Sequence, residues 1–336
     1  MLQTQIKTNH SIGTFLVQNG WIPKVQLVGI IVGIGFGVMV LVFLLLRYYH
    51  CKSFKSRNPI TQAPELVDQK YFIAQDGYQL TWFGQINPKG EKIILALHDV
   101  GMSSHDFTAL ANYFQQTNAL VSVVSYDQRN SGNNKLETKQ RHLGNSLQDL
   151  KAITTFLLQQ YPHQELIILA EGKAYELAHY VYRRQPQLKR LVVAGLVSHD
   201  PYQKRFSHHW NLTIGKFLKP QKAMALVGQS ADLTNDVDFQ HEINENMAKC
   251  GFLSTLEVSQ WHHLSRYNRQ HKIGKEQKIF ILQPQNDIYT HPKKTTKTLK
   301  KIEATQLVIN YFPAQKHYLL NEPDKVKVFE VLNNWL

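Results

Sequence analysis

Hydrophobic and polar positions fall into three regimes along this chain. From Leu27 to Leu46 the run LVGIIVGIGFGVMVLVFLLL carries no charge, and about 20 consecutive apolar residues match the hydrocarbon thickness of a bilayer. It is too long and too deep in the chain for a cleaved leader, and no small-x-small site follows it, so it reads as a retained membrane helix. From Tyr71 onward, short continuous apolar runs alternate with longer helical ones. Strands are predicted at Tyr71–Ala74, Gln79–Ile86, Lys92–His98, Leu120–Asp127, Glu165–Ala170, Arg190–Leu196, Lys278–Leu282 and Gln306–Phe312. Helical patterns cover Asp106–Gln116, Leu143–Gln160, Ala174–Arg184, Pro292–Ile302 and Pro323–Leu336. Runs such as IILAL and LIILA are apolar at every position, as strands covered on both faces require. The alternation predicts a mostly parallel, doubly wound α/β sheet. In the third regime, from about residue 198 to 277, no strand–helix unit is visible. An insertion of that length between core strands predicts a cap over the site at the strands' carboxyl ends.

The expected organisation is a tail at 1–24, a membrane helix at 25–47, a polar linker at 48–66 and an α/β domain at 67–336. Arg47, Lys52, Lys55 and Arg57 follow the span, against Lys7 and Lys24 before it. The positive-inside rule then puts the large domain in the cytoplasm. Gly29, Gly33 and Gly37 recur every four residues, which fits either a second packed helix or ordinary glycine usage in a membrane span.

Composition narrows the picture. The 43% of apolar and 19% of charged residues suit a packed core. A net charge of +13 favours anionic surroundings such as lipid headgroups. The cations are scattered, with no basic helix or aromatic stripe, which argues against nucleic acid. Cys51 and Cys250 form no CxxC pair, so they read as two unpaired thiols. His208-His209-Trp210, Trp261-His262-His263 and His271 fall in the cap without HxxxH or HExxH spacing, so neither a metal nor another cofactor is expected. The cap aromatics Trp210, Phe217, Phe239 and Trp261 point to an apolar ligand.

The candidate chemistry lies at the strand ends. IILAL runs into His98-Asp99-Val100-Gly101, and LVSVVSY into Asp127-Gln128-Arg129-Asn130-Ser131-Gly132. LIILA is followed by Glu171-Gly172-Lys173-Ala174 at the start of a helix. IFILQPQND places Asp287 at the head of a loop, and YFPAQKHYLLNEPDKV places His317 before the last helix with Glu322 behind it. From about Tyr71 to Leu336 the chain thus resembles the α/β-hydrolases, and within them the monoacylglycerol lipase and lysophospholipase group. The resemblance implies a nucleophile elbow after LIILA, Asp287 as acid and His317 as base, in that chain order. It also implies oxyanion-hole N–H groups from Val100 and Lys173.

Small residues must flank the nucleophile two positions away on each side, because the turn is tight. Ala170 and Ala174 meet this only around Gly172; centring on Glu171 would bring in Leu169 and Lys173. The nucleophile position therefore holds glycine, which has no atom to attack a carbonyl and relieves the strained backbone of the elbow. Asp99 stands where the family usually has glycine, and Glu171 lies beside the elbow. Carboxylates there oppose a developing oxyanion, for which one lost donor already costs ~3 kcal/mol. Ser146 and Ser230 follow no buried strand and do not replace the missing hydroxyl. Two functional readings stand. One is a catalytically impaired relative that keeps a capped pocket for a lipid-like or acyl ligand, or a partner. The other is a hydrolase in which the Asp287–His317 dyad works with water or an unrecognised nucleophile. On the first reading the dyad is an inherited packing pair.

Overall fold

The computed structural model describes residues 24–336 except 57, 135–141, 198–217, 227, 272, 275, 291–294 and 296–305. The chain divides into two units, Met1–Cys51 and Lys52–Leu336. The first holds nearly all of helix α1 (Lys24–Lys52). Within it, Gln26–Leu46 is the one helical stretch among the described residues long and apolar enough to cross a membrane. Its side chains from Val28 to Leu46 are exposed. The expected helix at 292–302 (Thr295 apart), with His208, His209, Trp210 and Phe217, falls outside the described residues.

The second unit is built on nine strands: β1 (Glu65–Val67), β2 (Tyr71–Ile73), β3 (Gln79–Phe83), β4 (Lys92–Leu97), β5 (Val121–Tyr126), β6 (Glu165–Glu171), β7 (Arg190–Ala194), β10 (Lys278–Pro284) and β11 (Gln306–Phe312). Their order is β1-β2-β3-β5-β4-β6-β7-β10-β11. The six from β5 to β11 run parallel, and β1 to β3 form an antiparallel edge. The expected mostly parallel sheet is therefore present. Side chains alternate across it as the pleat dictates. Ile93, Leu95 and Leu97 of β4 join one core, with Ile168 and Ala170 of β6. Ile94 and Ala96 join the other, with Ile167 and Leu169.

The helices close these two faces. Helices α3 (Leu143–Gln160) and α4 (Tyr175–Tyr182) cover the first; α2 (Thr108–Thr117) and α7 (Lys325–Trp335) cover the second. Two predicted helices begin as 3-10 turns, Ser104–Phe107 before α2 and Gly172–Ala174 before α4. Both turns sit where the chain has just left a strand and must bend sharply.

The region from 198 to 277 is not one kind of structure. Strands β8 (Ala223–Ala225) and β9 (Phe252–Ser254) pair antiparallel around α5 (Val237–Cys250). Helix α6 (Thr255–Gln270) follows, opened by a capping box in which Ser254 and Glu257 satisfy each other's backbone N–H. Val258, Trp261 and Leu264 of α6 belong to the first core, so this helix is part of the domain's main layer. The segment after α1 is tied to the same layer: Phe54 packs edge-on against Tyr180 and Tyr267, and Ser56 Oγ donates to Asn145 at 2.8 Å.

Candidate active site

The site forms at the carboxyl ends of β4, β6, β10 and β11. After β4 the chain enters His98-Asp99-Val100-Gly101. His98 is buried, and its Nε2 accepts the Gln128 N–H at 3.0 Å. Its Nδ1 must then carry the hydrogen, donated to the Asp99 carbonyl at 2.8 Å. This neutral ring, with its pKa lowered by burial against the opposing pull of Asp127, pins the peptide that presents Asp99.

After β6 the chain passes through Gly172 at φ +56°, a left-handed conformation open to glycine and strained for other residues. Ala170 and Ala174 flank it, both buried. Gly172 thus sits in a left-handed turn between two buried alanines, where the sequence predicts the elbow.

The vacant volume is filled from the other loop. Asp99 Oδ1 accepts the backbone N–H of Val100 and that of Lys173, each at 2.7 Å. Those are the two donors expected for the oxyanion hole. Asp99 Oδ2 lies 3.0 Å from His317 Nε2. A Cβ built on Gly172 would stand 2.1 Å from that same Oδ2. One carboxylate therefore takes both the oxyanion donors and the space of a serine side chain.

His317 lies between β11 and α7, and its Nδ1 is 3.0 Å from Asp287 Oδ2. Asp287 also accepts the Tyr289 N–H at 2.8 Å and the Thr290 hydroxyl at 2.6 Å. Burial alone would lift the Asp287 carboxyl, but His317 and these donors hold it below its ordinary value. Burial pushes His317 down; Asp287 and Asp99 outweigh it and hold the ring at about 10. At neutral pH the ring is an imidazolium clasped between two carboxylates. Its hydrogen-bond partners among the described residues include no Ser, Thr or Cys.

Glu171 is fully buried and both its oxygens lack a partner among the described residues. Burial, aided by Asp99 and opposed by His317, pushes its carboxyl to about 8. That shift favours its neutral form near pH 7.

The remaining motif residues hold loops in place. Asp127 accepts from Ser104 N and Asn133 N, each at 2.7 Å. Arg129 bonds to Asp149 and Asp76. Asn130 takes φ +60°, a left-handed conformation that Asn tolerates. Glu322 accepts the Asn235 N–H at 3.0 Å and side-chain amide at 2.7 Å, joining the base loop to the segment before α5. Ser146 lies in α3, and Ser230 opens a short helix at Ser230–Leu233. No group of three or more potential metal ligands is present among the described residues. Sequence reasoning did not single out Tyr289 and Tyr318, whose rings pack on His317 at 4.8 and 4.9 Å. Both tyrosines belong to one buried apolar cluster with Met102, Leu233, Phe239 and Ile243. A cleft of about 50 Å³ borders the oxyanion loop at Val100 and Gly101.

The comparisons with known proteins agree with the fold. The family model described as serine aminopeptidase, S33 (Hydrolase_4) matches residues 88–324, more than half of the chain. The chain belongs to this family. Within the S33 fold it superposes on a soluble variant of monoglyceride lipase from Saccharomyces cerevisiae, with a TM-score of 0.68 and 14% identity, covering 83% of this chain and 97% of that one. A monoacylglycerol lipase from Paleococcus ferrophilus gives 0.62 at 14% identity, over 76% and 97% of the two chains. An esterase from Exiguobacterium antarcticum gives 0.57 at 12%, over 79% and 98%. No curated protein matches the chain. The protein is thus an α/β-hydrolase of the S33 lipase and esterase type.

Proposed function

We propose that this S33 member is a membrane-anchored protein closed to the serine acyl-enzyme route, keeping its capped site for a lipid-like or acyl ligand. The carrying observation is the Asp99 carboxylate on the Val100 and Lys173 N–H groups, directly over the bare backbone of Gly172. An acyl carbonyl entering this site finds no nucleophile and no unoccupied donors, and it meets a negative charge where its own must develop. The second reading, a dyad that activates water directly, is weakened by the charge on His317. A general base must be unprotonated at working pH, and this ring holds its proton to about 10.

The anchor is the Gln26–Leu46 stretch of α1, and the charges after it favour a cytoplasmic domain. The apolar surroundings of the His317 site, where Met102, Leu233, Phe239 and Ile243 cluster with Tyr289 and Tyr318, favour an apolar ligand over a polar one. The test is direct: the full chain should resist labelling by a fluorophosphonate probe and leave p-nitrophenyl butyrate unhydrolysed. Stoichiometric labelling would reopen the serine route. Protease accessibility on intact cells checks the sidedness.

A further inference from the structure

Two arginines beside the segment that follows α1 share a single acceptor. Phe54 packs edge-on against Tyr180 at 5.6 Å and Tyr267 at 5.8 Å, and the two tyrosine rings lie 5.6 Å apart. Arg184 stacks over the Tyr180 ring at 3.5 Å. Arg183 and Arg184 both donate to the Tyr267 hydroxyl oxygen, at 2.9 and 2.6 Å. We propose that these two arginines form a two-armed site for the phosphate of an anionic phospholipid headgroup, through which the domain rests on the membrane surface. The inference rests on the membrane-anchored reading and is independent of the fate of the serine route.

The argument begins with charge. Guanidinium groups converging on one atom repel each other, and a phenol oxygen carries no charge to offset them. Among the described residues neither arginine has a carboxylate at ion-pair distance. Arg129, by contrast, is balanced by Asp76 and Asp149. Arg183 Nε is buried and lacks a hydrogen-bond partner among the described residues. One contact is accounted for within the chain. Arg184 Nη1 donates to the Tyr180 carbonyl at 2.9 Å, at the carboxyl end of α4, where a cation suits the helix dipole. That contact uses one N–H of one arginine and leaves the paired charges unopposed. A phosphate answers both needs: its oxygens accept from guanidinium forks two at a time, and its charge offsets two cations at once.

Place in the chain selects the source of that phosphate. Phe54 stands eight residues after Leu46, where the apolar stretch ends. Helix α1 continues to Lys52. At about 1.5 Å per helical residue and about 3.5 Å for each of the two beyond, chain reach keeps Phe54 within roughly 16 Å of the hydrocarbon edge. Headgroups fill the first ~5–8 Å of that distance, and surface charge is felt for about 8 Å more. Tyrosine rings are the amphipathic kind that settle at headgroup level. Exposed Lys55, Arg266 and Arg269 add cations near Phe54 and Tyr267.

The experiment places the full chain in nanodiscs of phosphatidylcholine, alone or with about a quarter of the anionic lipid phosphatidylglycerol. Phenylglyoxal modification of each arginine is then followed by peptide mass spectrometry. Arg184 is exposed and should react readily in the neutral discs. In the anionic discs its labelling should slow about fivefold or more, the scale of one basic side chain at an anionic surface, and high salt should restore it. Arg183→Gln removes one arm, so labelling of Arg184 in anionic discs should return to the neutral-disc rate. Mere nearness to the membrane would not produce that coupling. Arg183→Lys keeps the charge but not the fork and should release Arg184 in part, and melting in neutral discs shows that both variants are folded. Equal labelling in the two discs, or protection of Arg184 that survives Arg183→Gln, would overturn the site. Equal protection by inorganic phosphate in neutral discs would overturn the headgroup assignment. A chain that fails to co-elute with the discs sinks the anchored reading and this inference together. A chain that incorporates without lipid-dependent protection sinks only the inference.

Discussion

The loops after β5 and β6 flank β4 on either side, and they have fared differently. The first is held by a dense set of bonds: Asp127 is doubly bonded to backbone N–H groups, and Arg129 joins two buried carboxylates. Asn130 in this loop takes φ +60°. The second makes the left-handed turn at Gly172, and on the proposed reading that turn presents no nucleophilic atom. The shape of an active-site loop is thus fixed by packing and backbone hydrogen bonds that never touch the reacting group.

The largest effect should come from the loop after β5. Arg129→Ala leaves Asp76 and Asp149 without their cation, and breaking such a buried network costs roughly 3–5 kcal/mol. Denaturant unfolding would show it, and a loss below about 1 kcal/mol would mean that loop is not held as described. The loop after β6 should respond in activity. Asp99→Gly combined with Gly172→Ser frees the two donors and supplies a hydroxyl. Hydrolysis of p-nitrophenyl butyrate should then rise by about 10²-fold or more, the scale set by oxyanion donors. Gly172→Ser alone should stay at background, since its Cβ would lie 2.1 Å from Asp99 Oδ2. Equal activity in the single and double variants would break the comparison.

A smaller effect follows from the buried charges at the elbow. Glu171 titrates at about 8 in the folded chain, above its ordinary unfolded value of roughly 4.3. Between those pH values the native state binds the extra proton, so raising pH destabilises it. His317, held at about 10 against an ordinary 6.5, acts in the same direction over a higher window. Its contribution is complete below about 6.5 and lost as pH rises through about 10. Thermal stability should fall from about pH 6.5 to pH 9, above the window in which buried His179, lowered to about 4, opposes the trend, and Glu171→Gln should flatten the lower part of that slope. The smallest effect is a control remote from both loops. Ser254→Ala removes the α6 capping box and should cost about 1 kcal/mol at every pH.

The fold was legible in the chain because continuous apolar runs such as LIILA and IILAL leave few other options. Helix α3 spans Leu143–Gln160, as its periodicity indicates. The short strands β1, β8 and β9 were not legible, since three residues carry no measurable period. Helix α6 hid for a different reason. Its core positions Val258, Trp261 and Leu264 are spaced by three, but Ser259, Gln260, His262 and His263 between them disguise the stripe. At the site, the glycine at 172 and the backbone donors Val100 and Lys173 could be placed from steric rules and the resemblance. The direction of the Asp99 side chain could not, because nothing local to residues 98–101 tells which loop its carboxylate will bond. The two departures were visible separately; that they fill one space is a fact of three dimensions.

One consequence concerns the clasp on His317. With a carboxylate on each ring nitrogen and no measurable exposure, both ring hydrogens are shut away from bulk water. They swap with solvent only when the overlying apolar residues part. Two downfield imidazole resonances that persist at neutral pH would therefore serve as a clock, and their exchange rate would time the opening of the cap in the intact molecule.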